Sequence, residues 1–256
     1  MSITQRLGKK TIYGWALTSW THEVEAMQLN KYLKLAQLNL DIDILDQPVT
    51  NFIQTFHAAA DENELTNNED RFYAYEVPKV APDGSCSISN MPDPEYYDLA
   101  DILGGRNQIT THKLAILNAL VNLAARAMSV DWLGIYQKRT KTDGSHVLVK
   151  LAYRGAISRA EFPLTQAFAA QSNNSTVGMN GAATIINDIP KYIESGGPYY
   201  NCDPRVKAEA CMPLFGPKTS HIVGIIDSEA WQGDFFSNQT LAPLLALCMV
   251  VPAFLV

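Results

Sequence analysis

One hairpin restricts this chain more than any other feature of its sequence. The segments WLGIYQK and HVLVKLAY flank Asp143-Gly144, a pair that favours the tight turn joining antiparallel strands. Three more strand-like segments follow: AATIIND, AEACMPLF and HIVGIIDSEA, the last two joined by a turn through Gly216-Pro217. A helical stretch precedes the hairpin from Thr110 or Thr111, with Leu114, Leu117, Leu120, Val121 and Ala124 on one stripe. A helix from Asn238 closes the pattern. Helix, two strands, an irregular middle, three strands and a helix predict an α+β fold. Its core is a central, mainly antiparallel sheet flanked by helices.

The first sixty residues read as helical. Val24, Met27, Leu29, Leu33, Leu35 and Leu38 mark one segment, and Asp46 with Pro48 offers a cap and first turn for a second through Phe52, Phe56 and Ala60. The polar run DENELTNNEDR and then Pro78, Pro82, Gly84, Pro92 and Pro94 have linker chemistry. This divides the chain into an N-terminal helical extension and linker, residues 1–92, and a main domain, residues 93–256. Within the linker FYAYEV reads as an edge strand. Pro94 leads into a predicted helix over EYYDLADIL that Gly104-Gly105 ends.

Composition narrows the function classes. Hydrophobic residues make up 47% and charged residues 18% of the 256, which suits a packed core. A net charge of −6 and a pI near 5.3 argue against a nucleic-acid or anionic-membrane partner. The stretch LAPLLALCMVVPAFLV has no charge, but it contains Pro243 and Pro252 and falls short of the roughly 20 residues that span a bilayer, so a buried helix is expected. No secretory signal follows the basic residues near the start. The cysteines Cys86, Cys202, Cys211 and Cys248 have no C-x-x-C spacing, which predicts a reducing, cytoplasmic setting. His57, His112, His146 and His221 lack ligand spacing, and no metal site is expected.

The candidate chemistry lies in two i, i+2 pairs. Asp227 and Glu229 point to one face of a strand, as do Glu209 and Cys211. Adjacent carboxylates raise one pKa and keep a proton available near neutrality, which suits general-acid duty, and they also suit binding of an ammonium group. Carboxylates that merely solvate a strand end would give the same spacing. Trp132 and Tyr136 fit either core packing or an aromatic pocket wall, on which sulfur packs well.

The order of the short motifs DWLGIYQ, EFPL, IIND, YYNCD, AEACMPL, GIIDSEA and DFFS resembles that of the free methionine-(R)-sulfoxide reductases, which are GAF-domain enzymes. The resemblance implies a GAF domain over residues 93–256 with a closed pocket for a free amino acid. By motif, Trp132 and Tyr136 match its aromatic wall, Glu209 an acidic contact, and Asp227 with Glu229 a carboxylate pair. At Glu229 the usual residue is Asp. Cys202 in YYNCD matches a redox thiol, implying thiolate attack on the sulfoxide, no bound cofactor, and a thioredoxin-type dithiol as external reductant. A homodimer through helices is implied as well. The two other usual redox positions fall on Arg159 and Ala169.

Beside a structural GAF protein with a filled pocket, two readings follow. In one the chain is an enzyme, with Cys202 attacking and Cys211, on the face of Glu209, as the resolving thiol. In the other it has kept the pocket without turnover, as a small-molecule sensor or binding module. Cys86, in PDGSCSIS, is a further thiol that could fold over the pocket, and Cys248 is expected to be packing. Gly196-Gly197, before Tyr199 and Tyr200, reads as a lid.

Overall fold

The computed structural model describes residues 27–62, 70–79, 95–200 and 203–256. Eight strands and eight α-helices occupy them, with two short 3-10 turns, and six of the strands form one sheet. These six are β3 (Trp132–Thr140), β4 (His146–Arg154), β5 (Glu161–Pro163), β6 (Thr184–Ile186), β7 (Ala208–Phe215) and β8 (Ile222–Ala230). Their order is β5-β4-β3-β8-β7-β6, and every neighbouring pair is antiparallel. The α+β architecture expected from the sequence, an antiparallel sheet flanked by helices, is the one found.

Alternation along the strands decides which face does what. Leu133, Ile135, Val147, Val149, Ala210, Met212 and Ile226 enter the main core with the helices. Their neighbours Trp132, Tyr136, Leu148, Cys211 and Ile225 form a separate cluster on the opposite face. Among the helices of the main core are α4 (Gln108–Met128) and α8 (Asn238–Val250). The predicted stripe of α4 is buried from Leu114 to Ala124, and Asn107 caps its start by accepting from the Thr110 N–H at 2.9 Å. Every residue of α8 from Leu241 to Cys248 is buried. It is enclosed because α2 (Ile42–Asp61) packs on it from outside. Among the described residues no helix is long and apolar enough to cross a membrane.

The N-terminal helices therefore share a core with the sheet. From α1 (Leu29–Leu35), the Tyr32 hydroxyl donates to the Pro213 carbonyl of β7 at 2.9 Å. Just after it, the Ala36 carbonyl accepts from the Ala183 N–H at 2.9 Å.

Three local expectations are corrected. Helix α2 starts at Ile42, capped by Asp41, and Pro48 lies inside it. Burial of Leu45, Val49, Phe56 and Ala60 on one stripe outweighs the single hydrogen bond Pro48 cannot make. The segment after Pro94 is first a strand, β2 (Glu95–Asp98), and becomes helix only at α3 (Leu99–Leu103), capped by Asp98. Strand β2 pairs with β1 (Ala74–Val77), the segment read as an edge strand, in a separate two-stranded sheet where the Tyr75 and Tyr97 rings stack at 5.6 Å. Cross-strand aromatic pairing decides the local structure there. Finally EFP, read as part of an irregular middle, is edge strand β5. Its Pro163 sits where the lack of a donor does least harm.

Candidate functional site

The sheet face away from the main helices carries Trp132, Glu209, Cys211, Asp227 and Glu229 in adjacent rows. Trp132 of β3 pairs with Glu229 of β8, which pairs with Glu209 of β7. The next row is Gly134, Asp227 and Cys211. Residues directly opposite in such rows have Cβ atoms about 4.5–5.5 Å apart. Three carboxyl groups from two strands thus crowd one patch, and Glu209 and Asp227 are buried, at 5% and 2% exposure. Like charges opposite one another destabilise a sheet, so the fold retains this cluster at a cost in stability.

A polar helix roofs the patch. In α6 (Asn173–Asn180) the first residues are buried, and the carboxamides point down. Asn173 Nδ2 donates to Glu209 Oε1 at 3.2 Å and Asn174 Nδ2 to Asp227 Oδ2 at 3.0 Å. The Tyr199 hydroxyl, beside Glu209, also favours the charged form of its carboxyl. These donors are outweighed by burial, which pushes the Glu209 carboxyl above the usual carboxylate range. Asp227 is pushed up further, by burial first and then by Glu209, against the hydrogen bond from Asn174. Asp227 Oδ1 and Asn174 Oδ1 are buried without a hydrogen-bond partner among the described residues.

The aromatic wall depends on two glycines. The Trp132 indole lies over Gly134, two residues on along the same face, and against Gly155. A Cβ on Gly134 would come within 2.3 Å of the ring, and one on Gly155 within 2.5 Å. In that slot the indole Nε1 donates to the Ala156 carbonyl at 3.0 Å. The Tyr136 hydroxyl donates to the Arg159 carbonyl at 3.4 Å, and the Tyr136 ring meets Phe162 edge-on at 5.2 Å. Lys150, wholly buried, donates from Nζ to the Ser158 carbonyl and Oγ, both at 2.7 Å. Its ammonium lies 3.9 Å from the Tyr153 ring centre and 4.8 Å from that of Tyr75. Residues 155–160 are thereby fastened to the sheet by three side chains.

Two small cavities lie between wall, floor and roof. One, of about 30 Å³, is lined by Trp132, Tyr136, Arg159, Asp227 and Glu229 among others. The second, of about 20 Å³, is lined by Asn173, Asn174, Tyr199 and Glu209. Phe162 and Glu229 line both. Each has room for about one or two waters, so a ligand the size of an amino acid requires the two to merge.

The thiols are placed less favourably. Cys202 and Cys86 lie outside the described residues. Cys211 faces the site side of the sheet, as the i, i+2 relation to Glu209 predicts, but it is fully buried beneath the cavities. Burial, then Asp227 and Glu209, push its thiol well above the ordinary value. Cys248 packs inside α8 with its thiol pushed up to about 12 by burial.

Sequence reading missed the roof and part of the wall. Asn173 and Asn174 sit in QSNNST, whose polarity reads as exposed loop; Ser172 as an N-cap was the available clue. Phe162, Phe168 and Tyr200 gather around Arg159, a residue noted only as a replaced cysteine.

No family model matches this chain, and no curated protein does. Solved structures do. A type II free methionine-R-sulfoxide reductase from Thermoplasma acidophilum is 18% identical, covering 57% of this chain and 94% of its own, with a TM-score of 0.47. The free methionine-R-sulfoxide reductase from Neisseria meningitidis, in complex with its substrate, is 16% identical over 56% of this chain and 77% of its own, with a TM-score of 0.45. A structure described as that of the GAF domain is 13% identical over 86% of this chain and 94% of its own, with a TM-score of 0.49. Identities this low say nothing of activity, and the site stands on its own geometry.

Proposed function

We propose that this chain is a GAF-type binding domain for a free amino acid, methionine sulfoxide or a close relative. The ligand's ammonium is held by Glu209, Asp227 and Glu229. The observation that carries this reading is the buried, unpartnered Oδ1 of Asp227 in a cluster of three carboxyl groups. A buried acceptor without a donor costs about 1–3 kcal/mol, and an ammonium brings three donors. Trp132, Tyr136 and Phe162 supply an apolar wall against which a methyl sulfur packs.

A second reading adds turnover, and the elevated carboxyls favour it. A carboxyl pushed upward holds a proton closer to neutral pH, and a sulfoxide oxygen must be protonated as its sulfur is reduced. In that reaction the Cys202 thiolate takes the oxygen, the sulfoxide becomes a thioether, and Cys202 becomes a sulfenic acid. A second thiol then condenses with it, releasing water and leaving a disulfide that a thioredoxin-type dithiol reduces. Cys211 is a poor second thiol while it stays protonated beneath the site.

Thermal unfolding with added ligand, combined with thioredoxin-coupled turnover, tests both readings. Free L-methionine-(R)-sulfoxide at about a hundred times its Kd should stabilise the fold by about 2.7 kcal/mol. Stabilisation without turnover supports the binding module alone. Turnover that vanishes in Cys202→Ser and falls in Cys211→Ser supports the reductase. Neither stabilisation nor turnover refutes both.

A further inference from the structure

The cavity floor is acidic, yet its wall contains a buried cation. Arg159 is only 6% exposed and lines the same cavity as Asp227 and Glu229. Its Nε donates to the Glu161 carbonyl at 2.7 Å. Its guanidinium carbon lies 5.0, 4.8 and 5.3 Å from the ring centres of Phe162, Phe168 and Tyr200. Rings on several sides and a fixed Nε leave a long side chain little freedom, so the orientation of the fork is set in advance. The loop that carries it is fixed too, by Trp132, Tyr136 and Lys150. The Lys150 anchor is itself covered by Tyr75 of β1, whose hydroxyl donates to the Lys150 carbonyl at 2.7 Å.

A guanidinium is expensive to bury and keeps its charge there. Its fork matches a carboxylate in two parallel hydrogen bonds. Carboxyl groups on the floor and a fixed cation in the wall give one cavity two poles of opposite sign. An amine needs only the first pole. An α-amino acid, with ammonium and carboxylate on one carbon, uses both.

We propose that Arg159 is the specificity-determining residue of this pocket, receiving the ligand's carboxylate so that the site selects α-amino acids over amines. This rests on the binding reading above and adds the ligand's second charged group to it. The carboxylate joins the contacts that Arg159 already makes, those with Glu161 and the rings among them.

The test is calorimetric titration of the full chain with L-methionine-(R)-sulfoxide and with the amine that lacks only its carboxyl group. The parent should bind the amino acid more tightly by on the order of tenfold to a hundredfold. In Arg159→Gln the amino acid should fall to the affinity of the amine, while the amine's own affinity holds. Arg159→Lys, which keeps the charge without the fork, should fall between the two, and it replaces the glutamine variant if that one fails to fold. Equal binding of both compounds by the parent overturns the proposal and leaves the amino-group reading standing. Equal loss of both in the variants reduces Arg159 to a packing role and overturns it also. Binding of neither by the parent removes the proposal together with the reading on which it rests.

Discussion

Replacing Gly134 by alanine should damage the site through one methyl group. The new Cβ would lie 2.3 Å from Cη2, 2.9 Å from Cζ3 and 3.1 Å from Cζ2 of Trp132. Carbon atoms rest at about 3.5–4 Å, so the indole must shift by more than an ångström. Gly155 closes one side of the slot, leaving the cavity of about 30 Å³ as the place for the ring to go. The main chain at Gly134 is ordinary strand, which alanine adopts freely, and losing glycine's flexibility returns at most about 1 kcal/mol. Overpacking costs about 1–3 kcal/mol and therefore wins. The expected net loss is about 1–2 kcal/mol, a fall in Tm of about 2–8 °C for a chain of this size. Binding of methionine sulfoxide should fall at least about tenfold, because the ring then occupies the space a sulfur requires. Thermal unfolding followed by circular dichroism, with titration of the surviving fold, reads both effects. A variant as stable as the parent that binds equally well would refute the wedged-indole account of this wall.

Other perturbations address the charges and thiols. Because the Asp227 carboxyl is raised above its ordinary 3.8, the folded state holds this proton more tightly than the unfolded state. The contribution of Asp227 to the parent's stability should thus fall as pH rises from about 4. Asp227→Asn should match the parent near pH 3.5 and exceed it increasingly above that, as chemical denaturation at several pH values would reveal. Lys150→Met should lower stability by about 0.5–1.5 kcal/mol, since the half-buried Ser158 carbonyl and hydroxyl lose their donor. It should also loosen residues 155–160, detectable as faster amide exchange there. Cys211 and Cys248 should resist a thiol reagent at pH 7 in the folded protein and react on unfolding, because both are buried with elevated thiols.

The sheet was legible in the sequence wherever strands bury both faces differently. In IVGIIDSEA the alternation of Ile226 and Ser228 with Ile225, Asp227 and Glu229 separates core from site, and AEACMPLF does the same for Glu209 and Cys211. Register then follows from pairing, so five of the named residues, Trp132, Tyr136, Glu209, Asp227 and Glu229, fall on one face. EYYD was not legible as a strand, because its partner lies twenty residues earlier and only the Tyr75–Tyr97 stack reveals it. Nor were Asn173 and Asn174 legible as a roof. Polar residues announce exposure, and only the buried carboxyls beneath them explain why they lie inside. Arg159 stood out in the sequence as a missing thiol, whereas its aromatic surroundings come from β5, the segment after it and the 195–200 loop, which no local pattern joins.

The central claim is that the buried carboxyl cluster exists to hold a ligand's amino group. Calorimetric titration of the parent and of Asp227→Asn with L-methionine-(R)-sulfoxide at pH 7 tests it most directly. The account predicts saturable one-to-one binding by the parent and a loss of at least about tenfold in the variant, with the variant's fold at least as stable. Undiminished binding by Asp227→Asn, or no heat of binding with either protein, would contradict it.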